Sequence, residues 1–273
     1  MSDMILVDTH SHIDIKEFDT DREETVKRAA QNGVAVIVNA SFDLESSRRS
    51  VALAAKFDNI YAIVGVHPHD AAEVPEGYLE SIADLAKQPG VVALGEMGLD
   101  YYRDLSPREV QQNVFRDQLA LAREMKKPVV IHDRDAHGDL MEILRKDGIP
   151  KKGGIMHCYS GSWDMALECM KMGFYISIAG PVTYPNAARL KDIAARLPLD
   201  RILIETDCPY LTPQINRGKR NEPAYVKYVA EEIARLRGMS GEDFARAASG
   251  NAGRIFNINI PNLQNKSRSD CNE

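Results

Sequence analysis

Apolar and polar positions follow two rhythms along the chain, one typical of buried strands and one typical of surface helices. Short apolar runs, mostly β-branched, predict eight β-strands at Met4–Asp8, Val34–Asn39, Ile60–Val66, Val91–Gly95, Pro128–His132, Gly154–His157, Gly173–Ile178 and Arg201–Glu205. Apolar residues at helical spacing predict helices at Asp21–Gln31, Ser46–Phe57, Pro107–Lys126, Trp163–Met172, Asn186–Ala195, Pro223–Arg237 and Ser240–Ala248. This alternation indicates an α/β fold with parallel strands, and eight such strands predict a TIM (β/α)8 barrel.

The length of 273 residues fits a single barrel domain, which typically needs about 250 residues. We expect this domain to span residues 1–261, because the polar residues 262–273 lack periodicity and are typical of a disordered tail. An open doubly wound sheet is the main alternative architecture. That fold would need a glycine-rich phosphate loop after an early strand, and the segment from Asp8 to His12 contains no glycine.

The composition, with 44% apolar and 27% charged residues, is typical of a globular enzyme. No apolar stretch is long enough to cross a bilayer, so we expect no membrane partner. The first residues lack the basic and apolar regions of a secretory signal, and the four cysteines show no CxxC spacing. We therefore predict a cytoplasmic protein whose cysteines are free thiols.

The net charge of −6 argues against broad electrostatic binding to nucleic acid, which normally uses a basic surface. It does not exclude a nuclease, because bound metal ions supply a local positive charge inside an acidic protein. DNA therefore stays among the candidate substrates.

Two histidines, His10 and His12, stand just after the first predicted strand. Side chains alternate between the two faces of a strand, so these imidazoles point to the same side. Two neutral imidazoles on one side can bind one divalent ion. The alternative is a pair of surface histidines in a turn, so the metal interpretation depends on further ligands at other strand ends.

Such ligands follow other predicted strands, at the face where barrels carry their active sites. They are Glu96 after the fourth strand, His132 after the fifth, His157 after the sixth and Asp207 after the eighth. With the histidine pair they form a set suited to two divalent ions, which a carboxylate such as Glu96 can bridge. Asp207 is also suited to orient a metal-activated water and accept its proton, so we expect both carboxylates to be catalytic. A structural role in the turn before Pro209 is the alternative for Asp207.

Six motifs occur in order along the chain, and they are Asp8-Thr9-His10-Ser11-His12, Gly65-Val66-His67-Pro68-His69, Gly95-Glu96-Met97-Gly98-Leu99-Asp100, His132, His157-Cys158-Tyr159-Ser160-Gly161 and Glu205-Thr206-Asp207-Cys208-Pro209-Tyr210-Leu211. Through them the chain resembles the TatD-type metal-dependent deoxyribonucleases along nearly its whole length. The resemblance implies a (β/α)8 barrel and a metal-dependent hydrolase that cleaves phosphodiester bonds in DNA. It also implies one ion on His10, His12 and Asp207, a second on His132 and His157, and Glu96 shared by both.

Histidines and tyrosines near the predicted site are candidates for substrate contact. His67 and His69 follow the third strand, where a structural role in the turn around Pro68 is the alternative. Tyr101 and Tyr102 follow the fourth strand and can stack on a base or simply pack in a loop.

A basic loop after the eighth strand is a second candidate for substrate binding. It carries Arg217, Lys219, Arg220 and Asn221. Guanidinium groups bind phosphate through paired hydrogen bonds, so we expect Arg217, Arg220 and Asn221 to contact substrate, with a solvated loop as the alternative. The family often has a histidine where this chain has Asn216, which puts a contact from that position in doubt.

The sequence favours a nuclease that works from a strand end or on single strands, and it leaves two other functions open. An amidohydrolase-like deacylase or esterase would use the same dinuclear site, but many such enzymes bridge their metals with a modified lysine, and Val91–Asp100 contains none. A non-catalytic scaffold would be expected to lose ligands, and all six candidates are present. Histidine-rich ligation allows zinc, manganese, nickel or iron, whereas the family is commonly associated with magnesium.

Overall fold

A computed structural model gives the structure of residues 4–261 and of residue 263. Its strands are β1 (Leu6–Ser11), β2 (Val34–Ala40), β3 (Ile60–Val64), β4 (Val91–Asp100), β5 (Val129–Arg134), β6 (Gly154–Met156), β7 (Phe174–Ile178) and β8 (Ile202–Ile204). Its α-helices are α1 (Arg22–Gln31), α2 (Leu44–Lys56), α3 (Tyr78–Ala86), α4 (Arg108–Met125), α5 (His137–Asp147), α6 (Trp163–Met172), α7 (Ala188–Arg196), α8 (Val226–Arg237) and α9 (Gly241–Phe256). A helix follows each strand, and α3 and α5 were not among the predicted helices.

The strands form one sheet in chain order, from β1 to β8. Neighbouring strands from β3 to β7 pair in parallel. Ser11, the last residue of β1, forms a parallel bridge with Cys208, just beyond β8. The first strand thus pairs with the segment after the last one, and the predicted (β/α)8 barrel fold is confirmed.

The chain divides into two compact units. Among the described residues, unit 1 contains 4–37, 178–261 and 263, and unit 2 is Val38–Ser177. The predicted domain boundary at residue 261 stays a prediction, because residues 262 and 264–273 of the expected tail lie outside the described residues. No helix within the described part of the chain is long and apolar enough to cross a membrane.

Strand β4 of unit 2 is buried along all ten of its residues. Burial on both faces is expected of a parallel strand that has helices on one side and other side chains on the other. Its apolar members Leu94, Met97 and Leu99 are completely or almost completely buried, and so are the carboxylates of Glu96 and Asp100. A buried carboxylate needs hydrogen-bond or charged partners, so this strand points to the chemistry of the molecule.

Three strands extend at least two residues beyond their predicted ends. Strand β1 continues past Asp8 to Ser11, β4 past Gly95 to Asp100, and β5 past His132 to Arg134. The prediction ended each strand where the apolar run stops, but the backbone keeps pairing: Gly98 of β4 is opposite His132 of β5. Three predicted ligands, one on each of these strands, are therefore held inside a strand rather than in the loop after it.

Candidate metal centre

The first group of predicted ligands lies in unit 1 and consists of His10, His12 and Asp207, called here the β1–β8 group. The Nε2 atoms of the two histidines are 3.3 Å apart. Oδ1 of Asp207 is 3.4 Å from Nε2 of His12 and 4.0 Å from Nε2 of His10. Ligand atoms that share one zinc ion lie roughly 3 to 3.5 Å from one another, given bond lengths of about 2.1 Å. The three side chains thus converge as ligands of a single ion would.

Backbone pairing brings this group together from opposite ends of the chain. The amide of Asp207 donates to the carbonyl of His10 at 2.9 Å, and the amide of His12 donates to the carbonyl of Cys208 at 2.9 Å. Asp207 has a positive φ of 55°, a conformation that turns its side chain out of the line of β8. The sequence therefore positions all three ligands through strand register rather than through a flexible loop.

Asp8 lies beneath the β1–β8 group and was missed as a functional residue. Its carboxylate accepts hydrogen bonds from the amide of Thr206 at 2.8 Å and from the hydroxyl of Thr206 at 2.6 Å. Burial raises the pKa of Asp8 to about 8, because the bonds from Thr206 only partly offset the loss of solvent. Asp8 thereby ties β1 to the residue that precedes Asp207.

The second group of predicted ligands lies in unit 2 and is called here the Glu96 group. It places three imidazoles around one oxygen, Oε1 of Glu96. Nδ1 of His132 is 2.7 Å from this oxygen, Nε2 of His157 is 3.1 Å from it, and Nε2 of His67 is 3.5 Å from it. The ligand atoms of Glu96, His132 and His67 lie close enough to one another to bind a single metal ion. Three predicted ligands, Glu96, His132 and His157, thus lie beside His67, a residue predicted to contact substrate.

The tautomer of His67 indicates that this residue is not a metal ligand. Nδ1 of His67 accepts a hydrogen bond from the amide of His69 at 3.1 Å, so in the neutral ring the proton is on Nε2 and faces Glu96. Burial, followed by repulsion from His132, lowers the pKa of His67 to about 4, so the ring is neutral at pH 7. His67 therefore acts as a hydrogen-bond donor, and its predicted contact with substrate stays a prediction.

Asp100 supports the Glu96 group and was also missed from the sequence. Oδ2 of Asp100 accepts hydrogen bonds from Nε2 of His132 at 3.0 Å and from Nε2 of His69 at 2.9 Å. Its Oδ1 accepts from the amides of Tyr102 and Arg103. Burial raises the pKa of Asp100, but the bonds from His132 and His69 outweigh it and hold the pKa well below its usual value. Asp100 is therefore ionised and fixes the Nε2–H tautomer of His132, which leaves Nδ1 for a metal.

Other predicted substrate residues have structural partners. Both terminal nitrogens of Arg220 bond to the carboxylate of Asp21. The amide of Asn221 is completely buried and donates to the carbonyls of Thr206 and Tyr210. These two residues hold the loop after β8 in place. Exposed Arg217 has its guanidinium 4.2 Å from the centre of the Tyr184 ring.

Both groups combine buried imidazoles with carboxylates, a set suited to divalent metal ions. Nitrogen ligands favour zinc or manganese, and carboxylate oxygens are accepted by both as well as by magnesium. In unit 1 the ligand atoms converge at the spacing expected around one ion. The chemistry of the donors therefore fits a metal-dependent enzyme.

The sequence agrees with this chemistry, since residues 7–257 match the family of TatD-related DNases. The chain belongs to the TatD family. A relative, the metal-dependent hydrolase YabD of Bacillus subtilis, is 49% identical, and the alignment covers 93% of this chain and all of the relative. The 3′-5′ ssDNA/RNA exonuclease TatD of Citrobacter rodentium is 36% identical over 89% of this chain and 95% of its own length.

A solved structure agrees with the TatD assignment. YJJV, a TatD homologue from Escherichia coli K12, superimposes with a TM-score of 0.88 at 33% identity, covering 93% of this chain and 98% of that protein. The predicted family and the predicted enzyme class are confirmed, and the chain is a metal-dependent hydrolase of the TatD family.

Proposed function

We propose that this TatD-family hydrolase is a deoxyribonuclease that cleaves phosphodiester bonds in DNA, from a strand end or on single strands. The observation that carries the proposal is the convergence of His10, His12 and Asp207 at ligand spacing in unit 1. A relative that shares 36% of its residues is named a 3′-5′ ssDNA/RNA exonuclease, which supports the same chemistry.

The proposed cofactors are two divalent ions, with manganese or zinc favoured by the imidazole ligands and magnesium as the alternative. The β1–β8 group would hold one ion. His132 and His157 would hold the second, with Nδ1 of His132 as its ligand atom. The sharing of Glu96 by both ions, implied by the family resemblance, is part of the proposal.

The reaction we propose is attack of a water on the phosphodiester phosphorus. When bound, divalent ions neutralise charge on the phosphate and lower the pKa of the attacking water toward about 7. Asp207 orients this water and accepts its proton, and the side chain is 15% exposed, so substrate can reach it. The water oxygen bonds to phosphorus while the bond from phosphorus to the leaving oxygen breaks. Glu96, the second catalytic carboxylate of this proposal, would act as the shared ligand that holds both ions in place.

The decisive experiment measures hydrolysis of single-stranded and double-stranded DNA with Mg²⁺, Mn²⁺ or Zn²⁺. We expect Asp207→Asn to lower kcat by about 10²- to 10⁴-fold, because the general base is lost while the shape of the side chain is kept. Asp58→Asn, at an exposed site, is the matched control and should behave as wild type. Excess chelator should stop the reaction.

Undiminished DNA cleavage by Asp207→Asn protein would contradict the mechanism. A parallel panel of amides and esters tests the deacylase alternative, and turnover there without cleavage of DNA would replace the nuclease proposal.

A cytoplasmic location is also proposed. The buried cysteines Cys169 and Cys208 are free thiols, as a reducing compartment would leave them. Fractionation of cells that express the protein tests this location.

A further inference from the structure

The loop between β4 and α4 exposes large side chains that the proposed reaction does not use. Tyr102 is 61% exposed and Leu105 is 64% exposed. Loops that follow the strands of a (β/α)8 barrel form its active-site face. An aromatic ring held in solvent on such a loop is a surface for binding rather than for packing.

Arg134, the last residue of β5, covers part of this ring. The centre of its guanidinium lies 3.9 Å from the centre of the Tyr102 ring. The backbone fixes the pair, because the amide of Tyr101 donates to the carbonyl of Arg134 at 2.9 Å and Asp100 pairs with Arg134 in the sheet. The stack therefore has a defined position in unit 2.

A second tyrosine–arginine stack in the same loop shows what is unusual about the first. Arg108 lies 4.2 Å from the ring of Tyr101, but it also forms an ion pair with Asp104 at 3.3 Å. The hydroxyl of Tyr101 donates to Asp139 at 2.7 Å. Both members of that stack thus have a carboxylate partner within the protein.

Arg134 differs from Arg108 in its surroundings. Among residues 4–261 and 263, no carboxylate lies within ion-pair distance of its guanidinium. The side chain of Arg134 is exposed, and Arg103 beside Tyr102 is also exposed and without an ion pair in the same residues. Two exposed guanidinium groups without a carboxylate partner thus stand beside the ring of Tyr102, and guanidinium groups bind the phosphates of nucleic acids.

The position of Arg134 connects it to the Glu96 group. His132 and Arg134 are two residues apart on β5, so their side chains point to the same face, about 6.6 Å apart along the strand. Asp100, which bonds to His132, directly precedes the loop that carries Tyr102. A ligand bound at Tyr102 and Arg134 would therefore lie next to the Glu96 group within unit 2.

We propose that Tyr102 and Arg134 form a nucleotide-binding subsite for single-stranded DNA. The ring of Tyr102 stacks on a base, and the guanidinium of Arg134 binds the phosphate next to the one that is cleaved. Unpaired bases expose the π-face that such stacking needs, whereas bases in a duplex do not, so the subsite selects single strands. This inference rests on the proposed nuclease function and assigns two residues that bind its substrate.

The test compares two substrates with the metal-loaded enzyme. One is a short oligothymidylate, and the other is methyl p-nitrophenyl phosphate, a diester without a base or a second phosphate. We expect Tyr102→Leu to raise KM for the oligonucleotide by about 5- to 150-fold with little change in kcat. Arg134→Gln should raise this KM and reduce the slope of log KM against log salt by about one. Neither variant should alter cleavage of the small diester.

Tyr101→Leu and Arg108→Gln are the matched controls, since they remove the stack with carboxylate partners from the same loop. Circular dichroism and thermal unfolding establish that each variant is folded. The subsite is refuted if Tyr102→Leu raises KM for the oligonucleotide no more than Tyr101→Leu does, or if both substrates are affected equally.

Failure of the nuclease proposal gives a different result, because wild-type protein would then cleave neither substrate. In that case fluorescence anisotropy with labelled oligothymidylate and Mn²⁺-loaded protein decides the subsite. Weaker binding by Tyr102→Leu than by Tyr101→Leu supports it, and equal binding overturns it.

Discussion

The two ligand groups are each supported by a completely buried carboxylate, and these two carboxylates differ in charge. Asp8 in unit 1 receives a backbone amide and a hydroxyl from Thr206, and burial raises its pKa to about 8. Asp100 in unit 2 receives two backbone amides and the imidazoles of His69 and His132, and its pKa is held well below the usual value. Both are 0% exposed, so burial alone does not explain the difference.

One cause of the difference is the set of donors, and another is repulsion from Glu205, which also raises the pKa of Asp8. Imidazole N–H groups that can carry positive charge stabilise a carboxylate more than a neutral hydroxyl does. Asp100 therefore keeps its charge and acts on a metal ligand through that charge. Asp8 serves as a structural tie, and its carboxyl group is largely protonated below pH 8.

The largest expected effect is on the pH dependence of stability. Between the unfolded pKa of 3.8 and the folded pKa of about 8, the native protein holds a proton on Asp8 that the unfolded chain has lost. The Asp8 contribution to stability is therefore full below pH 3.8 and is lost as pH rises toward 8, with a slope of up to about 1.4 kcal/mol per pH unit. Urea unfolding of metal-free wild-type and Asp8→Asn proteins at pH 5 and pH 8 measures it.

We expect wild type to lose stability relative to Asp8→Asn as pH rises over that interval. The comparison between the two proteins cancels other titrating groups, such as His67, which loses its proton over an overlapping range. A difference that is independent of pH would show that Asp8 is ionised throughout, and the contrast with Asp100 would fail.

The second effect concerns metal affinity in unit 2. We expect Asp100→Asn to weaken binding of Mn²⁺ by about 10- to 100-fold. Asparagine has one acceptor oxygen, so it cannot accept both from the imidazoles of His69 and His132 and from the backbone amides that now bond to Oδ1, and the ring of His132 loses its fixed tautomer. Competition with a chelating dye measures the affinity. Asp8→Asn is the control for loss of a buried carboxyl, and equal loss in both variants would remove the special role of Asp100.

The smallest expected effect concerns the hydrogen bond from the Thr206 hydroxyl to Asp8. We expect Thr206→Val to lower the free energy of unfolding by about 1 kcal/mol, because the hydroxyl that donates to Asp8 is lost while the side-chain volume is nearly kept. Thr206→Ser retains the hydroxyl and serves as the control. Urea unfolding at pH 7 compares the three proteins, and equal stability of Thr206→Val and wild type would contradict the tie.

Strand order and ligand identity were predictable because they depend on local patterns. The apolar runs gave the eight strands, and polar residues such as His157 and Asp207, directly after such runs, gave ligands. Helix α5 has buried residues at Leu140, Met141 and Leu144, a helical spacing that is present in the sequence although this helix was not predicted. Helix α3 buries only Ile82 and Ala86 among its described residues, which is too weak a signal for periodicity.

The supporting residues were not predictable from local patterns. Asp8 and Thr206 are 198 positions apart, and Asp100 and His132 are 32 apart, so their hydrogen bonds exist only in the folded chain. A carboxylate within an apolar strand is the signal that was available. Such a residue must find donors when it is buried, and both Asp8 and Asp100 stand in this context.

The backbone pairing of His10 with Asp207 has a consequence for how the protein is made. Translation proceeds from the N-terminus, so a nascent chain that has left the ribosome up to Ser177 already carries every residue of the Glu96 group. The β1–β8 group must wait for Asp207, nearly two hundred residues after His10. Loop closure over that distance is slow compared with local folding, so the β1–β8 group forms after the Glu96 group during synthesis.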